Sequence, residues 1–186
     1  MNNLSRYQKY TWTYRLVISL QACLVAFQFG AQAYADDKAK EKRAFELYDQ
    51  INSTDVILGD LALDRGTHPL VKSYAVDRNY RAIQEKARSI GQAEGLWESA
   101  EGYPEIVPAC LADIQGLKTI SNESFDESFI KHELGYISYA VGTINREIMP
   151  NVSNPEVKEL LNDHLDRLKV HEKNVRKAMD NLTNRQ

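Results

Sequence analysis

Two histidines and one aspartate are the side chains of this sequence best suited to chemistry, because each falls on the inward face of a predicted helix. His164 and His171 lie within the apolar stripe of the last helix, and Asp55 shares a face with small and apolar residues of the first. Two neutral imidazoles and a carboxylate can together bind one zinc or copper ion. Asp55, His164 and His171 are therefore candidate ligands of a single transition-metal ion, provided that the first and last helices are adjacent.

The alternative is that these three side chains are polar core groups, hydrogen-bonded to one another or to Tyr48, which fix the register of the helices. We favour this alternative because His164 and His171 are about 10 Å apart along one helix, which hinders convergence on one ion. We expect His164 to be buried and neutral rather than paired with Asp55. For His171 both states stay open.

The other two histidines are expected in less chemical surroundings, His68 in a turn and His132 at a surface or loop-facing position. Ferritin-type di-iron oxidases take metal ligands from Glu-x-x-His motifs on two of their helices. The residues three positions before the four histidines are Arg65, Phe129, Leu161 and Leu168. The sequence therefore argues against a di-iron oxidase, no catalytic residue is assigned, and we expect a protein that is not an enzyme.

The elements that must position these side chains are four predicted helices, divided by prolines and glycines, which helix interiors exclude or disfavour. The helices are predicted over about 38–65, 69–91, 122–150 and 154–182, with a short helix near 109–117. For the third helix Asn122 or Ser124 is the predicted cap, and for the fourth it is Asn154 followed by Pro155. The sequence thus predicts an all-α fold, an up-down four-helix bundle with one long crossover loop at about 92–123.

Two apolar stripes at alternating steps of three and four residues support this architecture. The stripe of the third helix is Ile130, Leu134, Ile137, Val141, Ile144 and Ile148. That of the fourth is Val157, Leu161, His164, Leu168, His171, Val175, Ala178 and Leu182. Both predict one buried face per helix.

Residues 1–35 have the layout of a secretory signal. Three basic residues and no acidic ones accompany the apolar run 16–29, which ends in alternating alanines. Two glutamines interrupt the run, whereas a membrane-spanning helix needs about 20 apolar residues. Cleavage is expected after Ala35, with Ala33 as the other suitable site. The predicted domains are a signal peptide, 1–35, and a four-helix bundle, 36–186.

Charge and cysteine content narrow the function further. The whole chain carries −3 and the signal +3, so residues 36–186 carry −6, which argues against nucleic acid as a partner. Cys23 suggests a lipid anchor as an alternative to cleavage, but the residues after it stay apolar. Cys110 is then the one remaining cysteine, expected as a small buried hydrophobe rather than an intermolecular thiol.

Four segments, in order along the chain, resemble the bacterial ferritin-like domain of unknown function 4142, whose members are often described as predicted outer membrane proteins. They are Asp55-Val56-x-Leu58-Gly59-x-Leu61-Ala62, Val71-Lys72-Ser73-Tyr74-Ala75, Phe125-Asp126-x-x-Phe129-Ile130, and Asn154-Pro155-Glu156-Val157-Lys158 followed by Leu168-x-x-His171. The resemblance implies a ferritin-like bundle and no particular activity. Of three histidines common in the family only His171 is present, because Ala82 and Ile137 occupy the other two positions.

The sequence thus predicts a periplasmic, ferritin-like bundle that acts as a non-catalytic binding or envelope-maintenance protein, with outer-membrane association as an alternative location. The rival hypothesis is a metal-binding or redox protein that uses Asp55 and the inward histidines. No partner is identified. A strip of small residues, Gly135, Ser138 and Gly142, is expected to pack within the bundle, and a homodimer contact is the alternative.

Overall fold

A computed structural model describes residues 4–76, 79–97 and 106–183, with side chains described within 35–73, 80–97 and 106–181. All regular elements in these ranges are helical, and none of them is a strand. The all-α prediction is therefore confirmed. By its internal contacts the chain divides into two compact units, residues 1–40 and residues 41–186. The side chains of residues 1–34, Cys23 included, lie outside the described residues.

The described residues contain six α-helices. They are α1 (Leu4–Arg65), α2 (Pro69–Val76), α3 (Asn79–Ala93), α4 (Leu111–Thr119), α5 (Asn122–Thr143) and α6 (Pro155–Thr183). A 3-10 turn, Pro108–Cys110, leads into α4. A π-helical turn, Ile144–Ile148, and a 3-10 turn, Met149–Asn151, follow α5.

The starts of two helices differ from those predicted. The first helix begins at Leu4 rather than near residue 38. Residues 31–58 contain no proline or glycine, so no helix breaker separates the predicted helix from the residues before it. The second predicted helix is described as α2 and α3, and residues 77–78 between them lie outside the described residues. The crossover near 92–123 carries α4, which begins two residues later than predicted.

Capping contacts explain where several helices begin and end. The Asn154 side chain accepts the backbone N–H groups of Glu156 at 2.9 Å and Val157 at 3.3 Å, which confirms it as the cap of α6. The caps predicted for α5, Asn122 or Ser124, are wrong. The residue at the cap position is Ser121, which has an extended conformation and makes no side-chain capping bond. The Asn122 amide oxygen accepts a hydrogen bond from Arg65.

Arg65 and Asp126 join the end of α1 to the elements around it. The Arg65 guanidinium donates to the backbone carbonyls of Leu117 and Ile120 at the end of α4. Asp126 of α5 accepts from the backbone N–H groups of Thr67, at 3.0 Å, and of His68, at 2.8 Å, just before α2. Both side chains thus satisfy polar backbone groups that helix termini leave unpaired.

Hydrogen bonds and ion pairs between helices give their directions relative to the C-terminal half of α1. α3 runs antiparallel to it, as shown by the pairs Asp49–Arg88 at 2.6 Å, Ser53–Gln84 at 2.7 Å and Asp60–Arg81 at 2.6 Å. α5 is also antiparallel, because Asp126 meets Thr67 whereas Tyr136 donates to the Ile51 carbonyl at 2.9 Å. α6 runs parallel, since Tyr48 reaches the Leu160 carbonyl and Asp55 meets His164.

Both predicted stripes face the core. In the stripe of the fourth helix the side chains from Val157 to Ala178 are all buried, while that of Leu182 lies outside the described side chains. In the stripe of the third helix four positions are buried, and Leu134 and Val141 are partly buried. The period of 3.6 residues per turn therefore identified the inward face of both helices correctly.

Candidate functional site

A carboxylate and an imidazole meet in the centre of the helical core. The His164 Nε2 atom of α6 lies 3.0 Å from the Asp55 Oδ2 atom of α1, and both side chains have 0% of their surface exposed. Asp55 comes near α6 because α1 and α6 run parallel in this register. The expectation that His164 is buried is confirmed, whereas the expectation that it is not paired with Asp55 is corrected by this contact, since the acid belongs to another helix.

The contact between Asp55 and His164 is close, but the ring N–H is not directed at the carboxylate oxygen. Within the described part of the chain, neither ring nitrogen of His164 has an aligned hydrogen bond. The imidazole is instead flanked by two aromatic rings, Tyr48 at 5.8 Å and Tyr80 at 5.7 Å between centroids. The two rings position the imidazole by packing against it, and they do not form hydrogen bonds with its nitrogens.

Glu133 of α5 is a second buried carboxylate that the sequence analysis did not single out. Its side chain is fully buried, and neither of its oxygens has a hydrogen-bond partner among the residues that the structure describes. It lies three residues after Ile130 and four before Ile137, which is itself an inward spacing. An acid at such a position was the available signal, and attention to the apolar stripe alone missed it.

The register of α5 brings Glu133 level with Asp55. Tyr136 donates to the carbonyl of Ile51, which is one helical turn before Asp55, and the two helices are antiparallel. The residue one turn before Tyr136 on α5 therefore lies beside the turn that holds Asp55. Burial raises the pKa of Glu133 well above its ordinary value, and the nearby Asp55 charge raises it further.

Tyr136 and Cys110 line the same part of the core. Burial, followed by the Asp55 charge, raises the pKa of Tyr136 well above its usual range. Burial also raises the pKa of the Cys110 thiol to about 11, with contributions from Asp113, Glu133 and Asp55. Cys110 is 5% exposed, and it is the free cysteine of the described side chains, as expected of a small buried hydrophobe.

A threonine holds the segment that carries Cys110 over this cluster. Thr54, the residue before Asp55, accepts the backbone N–H of Val107 at 3.0 Å and donates to the Gln50 carbonyl at 2.8 Å. Val107 directly precedes the 3-10 turn that contains Cys110. The crossover is thus fixed to α1 at the level of Asp55, and it covers the cluster from that side.

His171, the third predicted ligand, has different neighbours. Its ring stacks against Tyr80 with centroids 6.4 Å apart, so Tyr80 contacts both inward imidazoles of α6. His171 also lines a small, mainly apolar cavity together with Leu70, Val71, Phe129, Ile130, Asn174, Val175 and Ala178. The structure therefore brings Asp55 and His164 together and leaves His171 about two turns further along α6.

The two other histidines have structural partners. His132 stacks on Tyr136 and places Nδ1 3.2 Å from Asp113 of α4, with 7% of its side chain exposed. It faces the crossover, as one of the predicted alternatives stated, and it is not a surface residue. His68 accepts the backbone N–H of Leu70 at 3.2 Å, so its expected role in a turn is confirmed.

Asp55, Glu133 and His164 are defined here as the core triad. Two carboxylates and an imidazole at zero exposure can exchange protons or bind a small cation, because burial strengthens every charge interaction among them. No three His, Cys, Asp or Glu side chains in the described ranges already converge as ligands of one ion. The metal site predicted from Asp55, His164 and His171 stays a prediction.

The strip of small residues on α5 does not pack as expected. Gly135 and Ser138 are exposed, and a Cβ atom added to Gly135 would meet nothing within 4 Å. At Gly142 an added Cβ would approach only the Arg146 side chain of the following turn. The expectation that this strip packs within the bundle is therefore wrong, and the homodimer alternative stays a prediction.

Measured over the ranges that the structure describes, no helix has both the length and the apolar character needed to cross a membrane.

Comparison with known proteins identifies the family of this chain but no individual relative. No curated protein and no solved structure matches the chain. A family model described as "Domain of unknown function (DUF4142)" matches residues 28–178, well over half of the chain. This chain is therefore a member of the DUF4142 family.

Proposed function

We propose that this protein is exported to the periplasm and acts there as a ferritin-like four-helix bundle that binds a small ligand without catalysing a reaction. The basic and apolar composition of residues 1–35 supports export. The helix directions support the ferritin-like arrangement. α3 and α5 are both antiparallel to α1 while α6 is parallel to it, the order that a single long crossover between the second and third helices of a bundle requires.

The observation that carries the binding role is the complete burial of the core triad. Burying a charged or polar group without full compensation is costly, and such groups are therefore candidates for functional positions. Because Asp55, Glu133 and His164 have 0% exposure, a ligand that reaches them has to be small. A role in maintaining the envelope, with the ligand held and released as conditions change, fits such a site.

Native mass spectrometry of protein isolated from the periplasm tests this role. We expect a mass above that of the polypeptide cleaved after Ala35, with the excess no larger than a hydrated ion or similarly small ligand, and lost on unfolding. A protein that carries no excess mass, or one that remains in the cytoplasm, would contradict the proposal.

A redox role, in which a bound metal ion changes oxidation state, is the second candidate, and the Asp55–His164 contact favours it. An imidazole and a carboxylate side by side are suitable ligands for a transition-metal ion. Redox turnover with a bound metal would be detected as oxygen consumption by the metal-loaded protein. The proposed binding role predicts no such turnover.

A further inference from the structure

We propose that Asp55, Glu133 and His164 form a mononuclear site for a first-row divalent transition-metal ion. This inference rests on the proposed binding function and names its ligand. The site spans α1, α5 and α6, so that an ion bound there would hold three helices together. It replaces His171 of the sequence prediction by Glu133.

The first argument is the distance between two donor atoms. Two ligand atoms that each lie about 2.1 Å from one ion are about 3.0 Å apart at the 90° angle of octahedral coordination, and about 3.4 Å apart at a tetrahedral angle. The His164 Nε2 and Asp55 Oδ2 atoms are 3.0 Å apart, and the ring N–H is not directed at the oxygen. The pair is therefore spaced as two ligands of one ion are spaced, without the alignment of a hydrogen bond.

The second argument is the position of Glu133. It is fully buried, both of its oxygens are without hydrogen-bond partners in the described part of the chain, and α5 brings it level with Asp55. Buried polar atoms of this kind require an explanation, and an ion is one of the few available. Since no three side chains yet converge on one point, Glu133 has to change its side-chain rotamer when the ion binds.

The third argument is charge. Two carboxylates in a closed core cannot both be ionised without a compensating charge, because two buried negative charges are strongly unfavourable. A divalent cation cancels both charges and supplies a ligand bond to every member of the core triad. The donor set contains nitrogen and oxygen, which suits zinc, iron, manganese or cobalt better than calcium or magnesium, since these last two prefer oxygen alone.

The geometry also indicates how the metal enters. Because all three side chains are fully buried, an ion reaches them only when the bundle opens locally or while the chain folds. Loading of the folded, metal-free protein should therefore be slow, and refolding in the presence of the metal should be the efficient route.

Cobalt(II) is the probe for the test, because its visible absorption reports the ligands directly. Protein stripped with a chelator would be titrated with cobalt(II), both folded and during refolding, by absorption and by calorimetry. We expect one ion per chain. Loss of an outer partner of a metal ligand typically weakens binding 10–100-fold, so Glu133→Gln, which removes a ligand charge, should weaken it by about 100-fold or more.

Two matched variants serve as controls. Glu127→Gln alters an exposed acid of the same helix, and His171→Leu removes the other buried imidazole of α6. Both should bind cobalt(II) as the native chain does, whereas His164→Leu should abolish the absorption bands. Glu133→Gln preserves side-chain shape, so it keeps the test valid if His164→Leu fails to fold.

Failure of cobalt(II) to bind by either route would overturn the site. It would also be overturned if Glu133→Gln bound as tightly as the native chain, or if His171→Leu lost the metal as His164→Leu does. If native mass spectrometry meanwhile finds a small ligand that is not a metal, the proposed binding function stands and this inference alone fails.

Discussion

Glu133 determines how the stability of the metal-free core should depend on pH. Its carboxyl group is fully buried, and burial together with the Asp55 charge raises its pKa well above the ordinary value of 4.5. The folded protein therefore holds a proton that the unfolded chain releases. Stability contributed by this proton is complete below about pH 4.5 and is lost as the pH rises towards the folded pKa.

The variant Glu133→Gln should remove this dependence. Above about pH 4.5 the unfolding free energy of the native chain should fall, relative to that of the variant, by up to about 1.4 kcal/mol per pH unit. Urea unfolding of both metal-free proteins from about pH 5 to about pH 8 measures the difference. Glu127→Gln, at an exposed position of the same helix, should keep the native slope. Identical slopes for the native chain and Glu133→Gln would show that Glu133 does not carry the proton.

Cys110 offers a second test at the scale of one residue. Burial holds its thiol pKa at about 11, and the thiolate is the reactive form. In the folded, mature chain, iodoacetamide near pH 8 should therefore alkylate Cys110 far more slowly than in the urea-unfolded chain. Mass spectrometry follows the modification. Equal rates in the two states would place the thiol at the surface, and the crossover would then not cover the core triad.

At the scale of elements, the contacts of Asp126 hold the start of α2 to α5. This side chain accepts the backbone N–H groups of Thr67 and His68, which precede the first residue of α2. The sequence between α1 and α2 contains Gly66 and Pro69, which end one helix and start the next, but neither supplies the acceptor that those N–H groups need.

Asp126→Ala should therefore destabilise the protein by about 1–2 kcal/mol, as the loss of a helix N-cap does. Asp166→Ala, which alters an exposed acid paired with Lys169 three residues away, should change stability by less than about 0.5 kcal/mol. Urea unfolding at neutral pH compares the two variants with the native chain. If Asp126→Ala lowers the unfolding free energy no more than Asp166→Ala does, water satisfies the backbone N–H groups before α2 as well as the Asp126 carboxylate does.

The sequence predicted the inward faces of α5 and α6, and the cap of α6 at Asn154, because those features depend on local spacing and local hydrogen bonds. It raised a contact between Asp55 and His164 only on the condition that the first and last helices are adjacent, since the period within a helix indicates which face is buried but not which helix lies opposite. Glu133 has the inward spacing of Ile130 and Ile137, and it was missed because only the apolar residues were followed along that face.

The crossover that carries α4 could be predicted from the sequence, because several glycines and prolines lie between Gly91 and Pro108. Helix ends were therefore predictable where a proline, a glycine or a capping side chain produces them.

At the scale of the whole molecule, the export hypothesis requires that residues 1–35 are removed. Expression of the full chain followed by fractionation should yield a periplasmic product that begins at Asp36. Mass spectrometry of the intact product determines its N-terminus. A product that keeps residues 1–35, or one that carries lipid on Cys23, would contradict cleavage after Ala35 and place the protein at a membrane.

Metal content of the native protein tests the central claim most directly. Protein purified from the periplasm without chelators should contain about one first-row divalent metal ion per chain, as a mononuclear site of three protein ligands predicts. It should lack the absorption of an oxo-bridged iron pair, and Glu133→Gln purified in the same way should be largely metal-free. A native protein without metal, or one with two irons per chain, would contradict the account.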